Sequence, residues 1–345
     1  MKLGLVAGSL GQLYLPEHIV LEAEALGFES VWNAEAYGSD AVSPTAWLLA
    51  KTRKIKVGTA IMQMPARTPS MAAMTALTLN ELSGGRFMLG LGPSGPGVVE
   101  GWYGVPYGRS LTRTREYISI IRQVLERKAP LEHQGYHYQI PNTGEGTTGL
   151  GRPLKSIIKS TYELPIYTAA VTPKGLACAA EVADGVFPIW MDPERFDLLE
   201  PHLNEGFAVS GNSIDNFSVS PFVHMNINDD VDAARKPIKQ HMALYIGGMG
   251  PRGKNFYNDY VSRMGYADEA KQIQDLYLAG EKAKATALVP DALVDAVALV
   301  GPAGRIRERL QVWKAAGAAK HVGRMMIAGA TSEGLQLLAE ELGGQ

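Results

Sequence analysis

Alternation constrains this chain more than any other feature. Short apolar runs of strand length are followed, repeatedly, by longer stretches whose apolar residues recur at three- and four-residue spacing. A parallel sheet covered by helices is the architecture that satisfies such a pattern. The first unit is KLGLVA (2–7) with PEHIVLEAEALGF, opened by Pro16 and stopped by Gly27. ESVWNAE (29–35) with SPTAWLLAKT (43–52), KIKVGTAIM (54–62) with PSMAAMTALTLNELS (69–83), and RFMLGLG (86–92) with TRTREYISIIRQVLERK (112–128) supply three more. The period lapses from about 130 to 163, where HQGYHYQIPNTGEGTTGLGRPL reads as a long insertion loop, either a lid or a surface excursion. It resumes with LPIYTAA (164–170) and PKGLACAAEVA (173–183), then DGVFPIW (184–190) and PERFDLLEPHLNEGFAVSG (193–211). NFSVSPFVHMNIN (216–228) precedes VDAARKPIKQHMALYIGG (231–248), a further helical insertion covers about 253–297, and HVGRMMIAG (321–329) lies between two helical stretches. Eight strands predict an α/β fold, a (β/α)8 TIM barrel with loop insertions, as one domain over residues 1–345.

Composition narrows the function. With 46% hydrophobic residues the chain buries its core without crosslinks, and its single cysteine, Cys178, reads as a core residue in KGLACAAEVADG. Thirty-three Lys and Arg against 35 Asp and Glu give no broad attraction for nucleic acid or an anionic membrane, so any anion site is local. MKLGLVAGSL lacks the long apolar core of a signal peptide, and no stretch reaches the roughly 18–20 apolar residues of a membrane span, so a soluble, cytoplasmic protein is expected. No metal site is expected either, because the histidines are scattered and only His133 and His137 stand close together. Neither a G-x-S-x-G elbow nor a P-loop occurs.

A barrel of this kind carries its chemistry at the C-terminal ends of the strands. Those ends are Ala7–Leu10, Asn33–Asp40, Ala60–Met64, Gly90–Gly95, Thr168–Lys174, Trp190–Asp192, His224–Asn228 and Ala328–Thr331. In TAAVTPKGLACAA, Thr172 stands at an N-cap, Pro173 at the first helical position and Lys174 beside them, an arrangement that serves either a phosphate or an ordinary capped helix. The small run Gly58-Thr59-Ala60 suggests close approach of a flat ring to the backbone. Gly90-Leu91-Gly92-Pro93-Ser94-Gly95 is not a dinucleotide fingerprint, since no helix opens at its third glycine, and serves better as a pocket wall. Glu35 and Asp40 are the candidate general acids, with helix capping or a salt bridge as the competing reading. Trp32, Tyr37, Trp102 and Trp190 either wall an aromatic pocket or pack the core.

Five segments together resemble the luciferase-like flavin and F420-dependent oxidoreductases over nearly the whole chain: ALGFESVWNAEAYGSDA, RKIKVGTAIMQMPARTP, LSGGRFMLGLGPSGPGVVEGWYG, LPIYTAAVTPKGLACAAEVADGVFP and VALVGPAGRIRERLQVWKAAGA. The resemblance implies a coenzyme ring across the end of the third strand, backed by a non-prolyl cis peptide at Ala60–Ile61, with Gln63 among its contacts. It further implies that Ala170, Val171, Thr172, Pro173 and Lys174 hold the coenzyme phosphate, that Gly92 and Ser94 line the ring or its side chain, and that Asn33 lies near the polar edge. WNAEAYG and GTAIMQMPARTP look like the coenzyme F420 branch, which implies hydride transfer to or from a small organic substrate, with an FMN-dependent monooxygenase as the alternative. A barrel that binds flavin without catalysis, or serves as a structural subunit, is the reading from another class. A lyase or aldolase would want a lysine on a strand end, whereas Lys174 lies in a helix start. Rim arginines Arg67, Arg109 and Arg113 are candidates to meet an anionic coenzyme tail. The sugar-phosphate dehydrogenase branch carries a histidine after its second strand and a carboxylate after its fourth; here Ala34 and the apolar Val98 and Val99 stand there, so glucose 6-phosphate is not the expected substrate. Family members pair as homodimers, and the apolar helices at 43–52 and 69–83 suit that role.

Overall fold

The structure, a computed structural model, describes residues 1–7 and 15–343; Gly8 to Leu10 of the first strand end therefore lie outside the described residues. The strands are β1 (Lys2–Ala7), β2 (Ser30–Asn33), β3 (Lys56–Thr59), β4 (Phe87–Gly92), β5 (Ile166–Ala169), β6 (Gly185–Phe187), β7 (Ser218–Val219), β8 (Phe222–Ile227), β9 (Leu299–Gly301) and β10 (Arg324–Ala328). They form one curled parallel sheet in the order β7-β6-β5-β4-β3-β2-β1-β10-β8-β9, and Met62–Gln63 adds a short pairing at the end of β4. Leu5 is in register with Val31 on one side and Ile327 on the other.

Period two on each strand sorts the side chains into two layers. Val31, Leu89, Ile166, Val186 and Ile327 face the outer helices and build the main core with them. Their chain neighbours Trp32, Met88, Tyr167, Phe187 and Met326 fill the inside of the curl. Trp32 meets Tyr167 and Phe187 edge-on at 5.3 and 5.1 Å between ring centroids. Gly58 makes room for that indole, since a Cβ there would come within 2.4 Å of it. Within the Gly58-Thr59-Ala60 run this gives Gly58 and Thr59 structural roles. The space opened by the glycine is taken by Trp32, and the Thr59 hydroxyl is spent on Gly90, donating to its carbonyl at 2.7 Å and accepting from its amide at 3.0 Å.

The segment expected as a single strand at 216–228 is divided at Ser220-Pro221. Its first part pairs with β6 and its second with β10 and β9, while Ile189 bridges to Phe222. Strand β9 escaped the sequence reading because it spans three residues directly after a helical stretch. The helices that cover the sheet are α1 (Glu17–Ala25), α2 (Val42–Lys51), α3 (Pro69–Leu82), α4 (Ser110–Glu126), α5 (Pro173–Val182), α6 (Glu200–Ser210), α7 (Val231–Gly248), α8 (Ala267–Leu278), α9 (Ala303–Ala318) and α10 (Ser332–Leu342). Shorter helices Phe256–Val261, Lys282–Ala287 and Asp291–Val297 join α7 and α8 around a second core built on Met242, Ile246, Ile273 and Leu293. The stretch from 130 to 163 holds one small antiparallel pair, His133–Gln134 with Gln139–Ile140, and its far end is fixed where Asn80 donates to the Glu163 carbonyl. No described helix is long and apolar enough to cross a membrane.

Candidate functional site at the C-terminal strand ends

Strands β2 and β3 end side by side, and the residues that follow them are knitted together by buried hydrogen bonds. Asn33 is buried and donates to the Thr45 hydroxyl at 3.0 Å, while its own carbonyl accepts from the Ala60 amide at 2.7 Å. The next peptide bond, Ala60–Ile61, is cis, at the position the resemblance implied. Past it, the Gln63 amide group donates to the Glu35 carbonyl at 3.1 Å, and Gln63 Oε1 is buried with no partner. A buried acceptor without a donor costs on the order of 1–3 kcal/mol unless a ligand or water satisfies it. Gly92 lies under the Ile61 side chain, and Ser94 beyond it has a left-handed φ of 60°.

Both carboxylates expected to act as acids are engaged by donors. Glu35 is buried and holds Arg67 in a two-pronged pair at 2.7 and 2.8 Å, while also accepting from the Gln63 and Ala41 amides at 2.7 and 3.3 Å. Both of its oxygens are thus engaged by donors. Asp40 accepts from the Val42 and Ser43 amides, both at 2.8 Å, and thereby caps the start of α2. Burial alone would raise its pKa, yet those amides, with Arg67 nearby, hold it below the ordinary carboxylate value. The rim arginines are also partly spent. Arg67 belongs to Glu35, and the buried Arg113 donates to the Pro106 carbonyl at 2.7 Å; Arg109 alone of the three is exposed.

Beyond β5 the chain turns into α5. Thr172 is its N-cap, accepting from the Gly175 amide at 3.0 Å; Pro173 opens the helix and Lys174 is exposed. The free amides of a first helical turn and the helix dipole favour an anion. Ala170 and Val171 are half-buried beside it, and the Val171 carbonyl accepts from Arg263 at 2.8 Å. Arg263 arrives from the segment between Phe256–Val261 and α8, stretched over the Tyr260 ring. Two cations, Lys174 and Arg263, thus flank one helix start.

The four expected pocket aromatics separate. Trp32 plugs the inside of the sheet, Tyr37 and Trp102 sit exposed with their rings 6.4 Å apart, and Trp190 is buried at the end of β6 with a left-handed φ of 48°. Around Trp190 lie His241 and Tyr245 from α7 and Tyr257 from the following helix, at 6.2, 5.9 and 5.8 Å between centroids, and His224 of β8 is 4.9 Å from His241. Of these, His224 belonged to a strand end. Arg263, His241, Tyr245 and Tyr257 did not. They reach the mouth from helices, where a search along strand ends has no signal to follow.

Comparison with known proteins places this geometry. A family model described as luciferase-like monooxygenase matches residues 16–320. A putative coenzyme F420-dependent oxidoreductase of Mycobacterium tuberculosis (strain ATCC 25618 / H37Rv) is 44% identical over 344 residues, 98% of each chain. The coenzyme F420 dependent tetrahydromethanopterin reductase from Methanopyrus kandleri has a similar structure, with a TM-score of 0.75 at 23% identity, covering 99% of this chain and 97% of that one. An F420-dependent secondary alcohol dehydrogenase, solved with an F420-acetone adduct, also reaches 0.75 at 17% identity, covering 99% and 98%. At these identities the two solved structures speak for the fold.

Proposed function

Because the chain belongs to the luciferase-like monooxygenase family, we propose that it is a coenzyme F420-dependent oxidoreductase passing hydride between the deazaflavin and a small organic substrate. The observation that carries this reading is the buried, partnerless Gln63 Oε1 beside the Ala60–Ile61 bond, an acceptor that the N–H edge of a flavin-type ring would satisfy. The full-length likeness to a relative named for F420 supports that coenzyme over FMN. In this reading Asn33, Ala60, Ile61, Gln63, Gly92 and Ser94 border the ring, and Ala170, Val171, Thr172, Pro173 and Lys174, with Arg263, hold the phosphate. Two strand spacings separate β3 from β5, roughly 10 Å, a span that a ring and its phosphate-bearing chain bridge. When bound, the coenzyme supplies the carbon that takes or gives the hydride. The protein's own part is to bind, orient and exclude water. Glu35 takes a positioning role, because through Arg67 and the Gln63 amide it fixes the segment against which the ring would lie.

The same reading takes β7 and β8 as one strand interrupted at Pro221, which with β1 to β6 and β10 makes the eight strands of a (β/α)8 barrel, β9 pairing outside them, in a cytoplasmic homodimer. Fluorescence titration of the coenzyme-free protein with F420 and with FMN tests the coenzyme. F420 should bind more tightly, and Lys174→Ala and Arg263→Ala should each weaken it about five- to tenfold, the worth of one charge-assisted contact. Preference for FMN would move the chain to the monooxygenase reading, and binding of neither would leave a non-catalytic barrel.

A further inference from the structure

The long segment after α4 has no part in the coenzyme reading, and its second half has an unusual surface. From Gly146 to Tyr162 it carries Arg152, Lys155 and Lys159 and no acidic residue, in a chain whose net charge is −2. Leu150, Leu154, Ile157 and Ile158 stand among those cations and all four are exposed, Leu150 at 84% and Ile157 at 95%. One exposed leucine on a surface needs no explanation. Four aliphatic side chains so close along an exposed loop do.

Hydrogen bonds fasten this tip from both sides. The Leu131 amide donates to the Leu154 carbonyl at 2.8 Å, Arg127 donates to the Ser156 carbonyl at 2.6 Å, and Lys155 reaches the Lys128 carbonyl at 3.2 Å. The Ser156 hydroxyl donates to the Ile158 carbonyl at 2.8 Å and closes the turn at Ile157 on itself. Further along, the Thr161 amide donates to Glu81 at 2.6 Å, and the Tyr162 ring lies against Gly85. Turning the aliphatic side chains inward would break these bonds. The anchors also place the tip. Arg127 and Leu131 follow the C-terminal end of α4, Glu81 is in the last turn of α3, and the segment leads into the start of β5 at Ile166. Helix ends and strand starts share the side of the sheet opposite the mouth. Lys128 pairs with Glu126, whereas among the described residues no carboxylate pairs with Arg152, Lys155 or Lys159. An aliphatic crest among unpaired cations is complementary to a surface whose apolar layer lies just beneath anionic headgroups. A protein partner would need a cavity shaped to so prominent a crest, whereas lipid closes around any convex shape.

We propose that residues 150–159 dock the protein reversibly on the surface of an anionic phospholipid bilayer, with Leu154, Ile157 and Ile158 entering the boundary between headgroups and acyl chains and Arg152, Lys155 and Lys159 among the lipid phosphates. Docked in this way, the mouth faces away from the bilayer and still opens to water. Flotation of the full chain with mixed phosphatidylcholine–phosphatidylglycerol vesicles, against vesicles of phosphatidylcholine alone, tests the docking. The protein should float with the mixed vesicles at low salt, and far less with the neutral ones or at high salt. Lys155→Gln and Lys159→Gln should each weaken binding about fivefold, the worth of one cation at such a surface. Ile157→Asp should abolish it at unchanged melting temperature and sedimentation, because the side chain is almost wholly exposed in the folded chain. Ile157→Trp keeps an apolar crest and should still bind, with emission that shifts to the blue and is quenched by brominated acyl chains beyond the wild-type response. Absence of flotation with mixed vesicles, equal flotation with both kinds, indifference to Ile157→Asp, or a reporter that brominated lipid leaves unquenched would overturn the docking. Loss of a dimer in Ile157→Asp would overturn it too, and give the crest to a second copy of the chain.

Discussion

Replacing Glu35 by Gln keeps its shape and removes the charge that Arg67 and the Gln63 amide share. An arginine left half-buried without its carboxylate should cost about 2–3 kcal/mol, read as a lower denaturation midpoint, and a loosened Gln63 should weaken F420 at the same time. A stability unchanged by Glu35→Gln would return Glu35 to the list of candidate acids. This network shows what the sequence could and could not reveal. The Thr172-Pro173-Lys174 start was legible because a cap, a proline and a cation are neighbours along the chain. Glu35 was legible only as a carboxylate after a strand, since the partner that decides its role lies 32 residues away. The capping role of Asp40 was legible for the opposite reason. Its partners, the amides of Val42 and Ser43, are so close that capping was always its local option.

Helix α3 is capped by Thr68, which accepts from the Met71 amide at 3.3 Å, and it buries Ala72, Ala73, Ala76 and Leu77 against the sheet. Its other side is also apolar. Met71, Met74 and Leu82 recur on one face with 51, 56 and 82% of their surface exposed, and Trp47 of α2 is 52% exposed. A lone exposed methionine needs no explanation, whereas a stripe of them on a helix is what a partner covers. Met74→Glu should therefore convert a dimer to monomers in sedimentation velocity while leaving the melting temperature of the monomer nearly unchanged; a wild-type chain that sediments as a monomer would remove the dimer from the reading. The apolar length of 69–83 made this helix easy to read, and its second apolar face was in plain view. Strand β9 was not, because three residues carry no period, and it is recognised only by its pairing with Met225–Ile227.

Across the floor of the sheet, opposite the mouth, Arg324 is buried and ties strands that are remote in sequence. It pairs with Glu29 at 2.7 Å, donates to Tyr167 and Ser220, and lies over the Trp32 and Tyr167 rings. Burial by itself would raise the Glu29 pKa, but Arg324, Lys2 and Lys56 together lower it from 4.5 to about 2. A carboxylate depressed in the folded state stabilises fully above its unfolded pKa and loses that contribution as pH falls. The steepest acid loss should thus lie between pH 4.5 and about 2, and Glu29→Gln should flatten that limb in a pH series of denaturant melts. An unchanged acid limb would mean that other carboxylates dominate it. The same floor joins the first strand to one of the last, for β1 has β2 on one side and β10 on the other. During synthesis, then, β1 keeps a bare edge until Arg324 has left the ribosome, and everything made before that point is an open sheet that other strands can join. The bare edge of β1 is covered only by residues translated near the end of the chain, so a chain cut short before them would emerge not as a smaller copy of this fold but as an adhesive one.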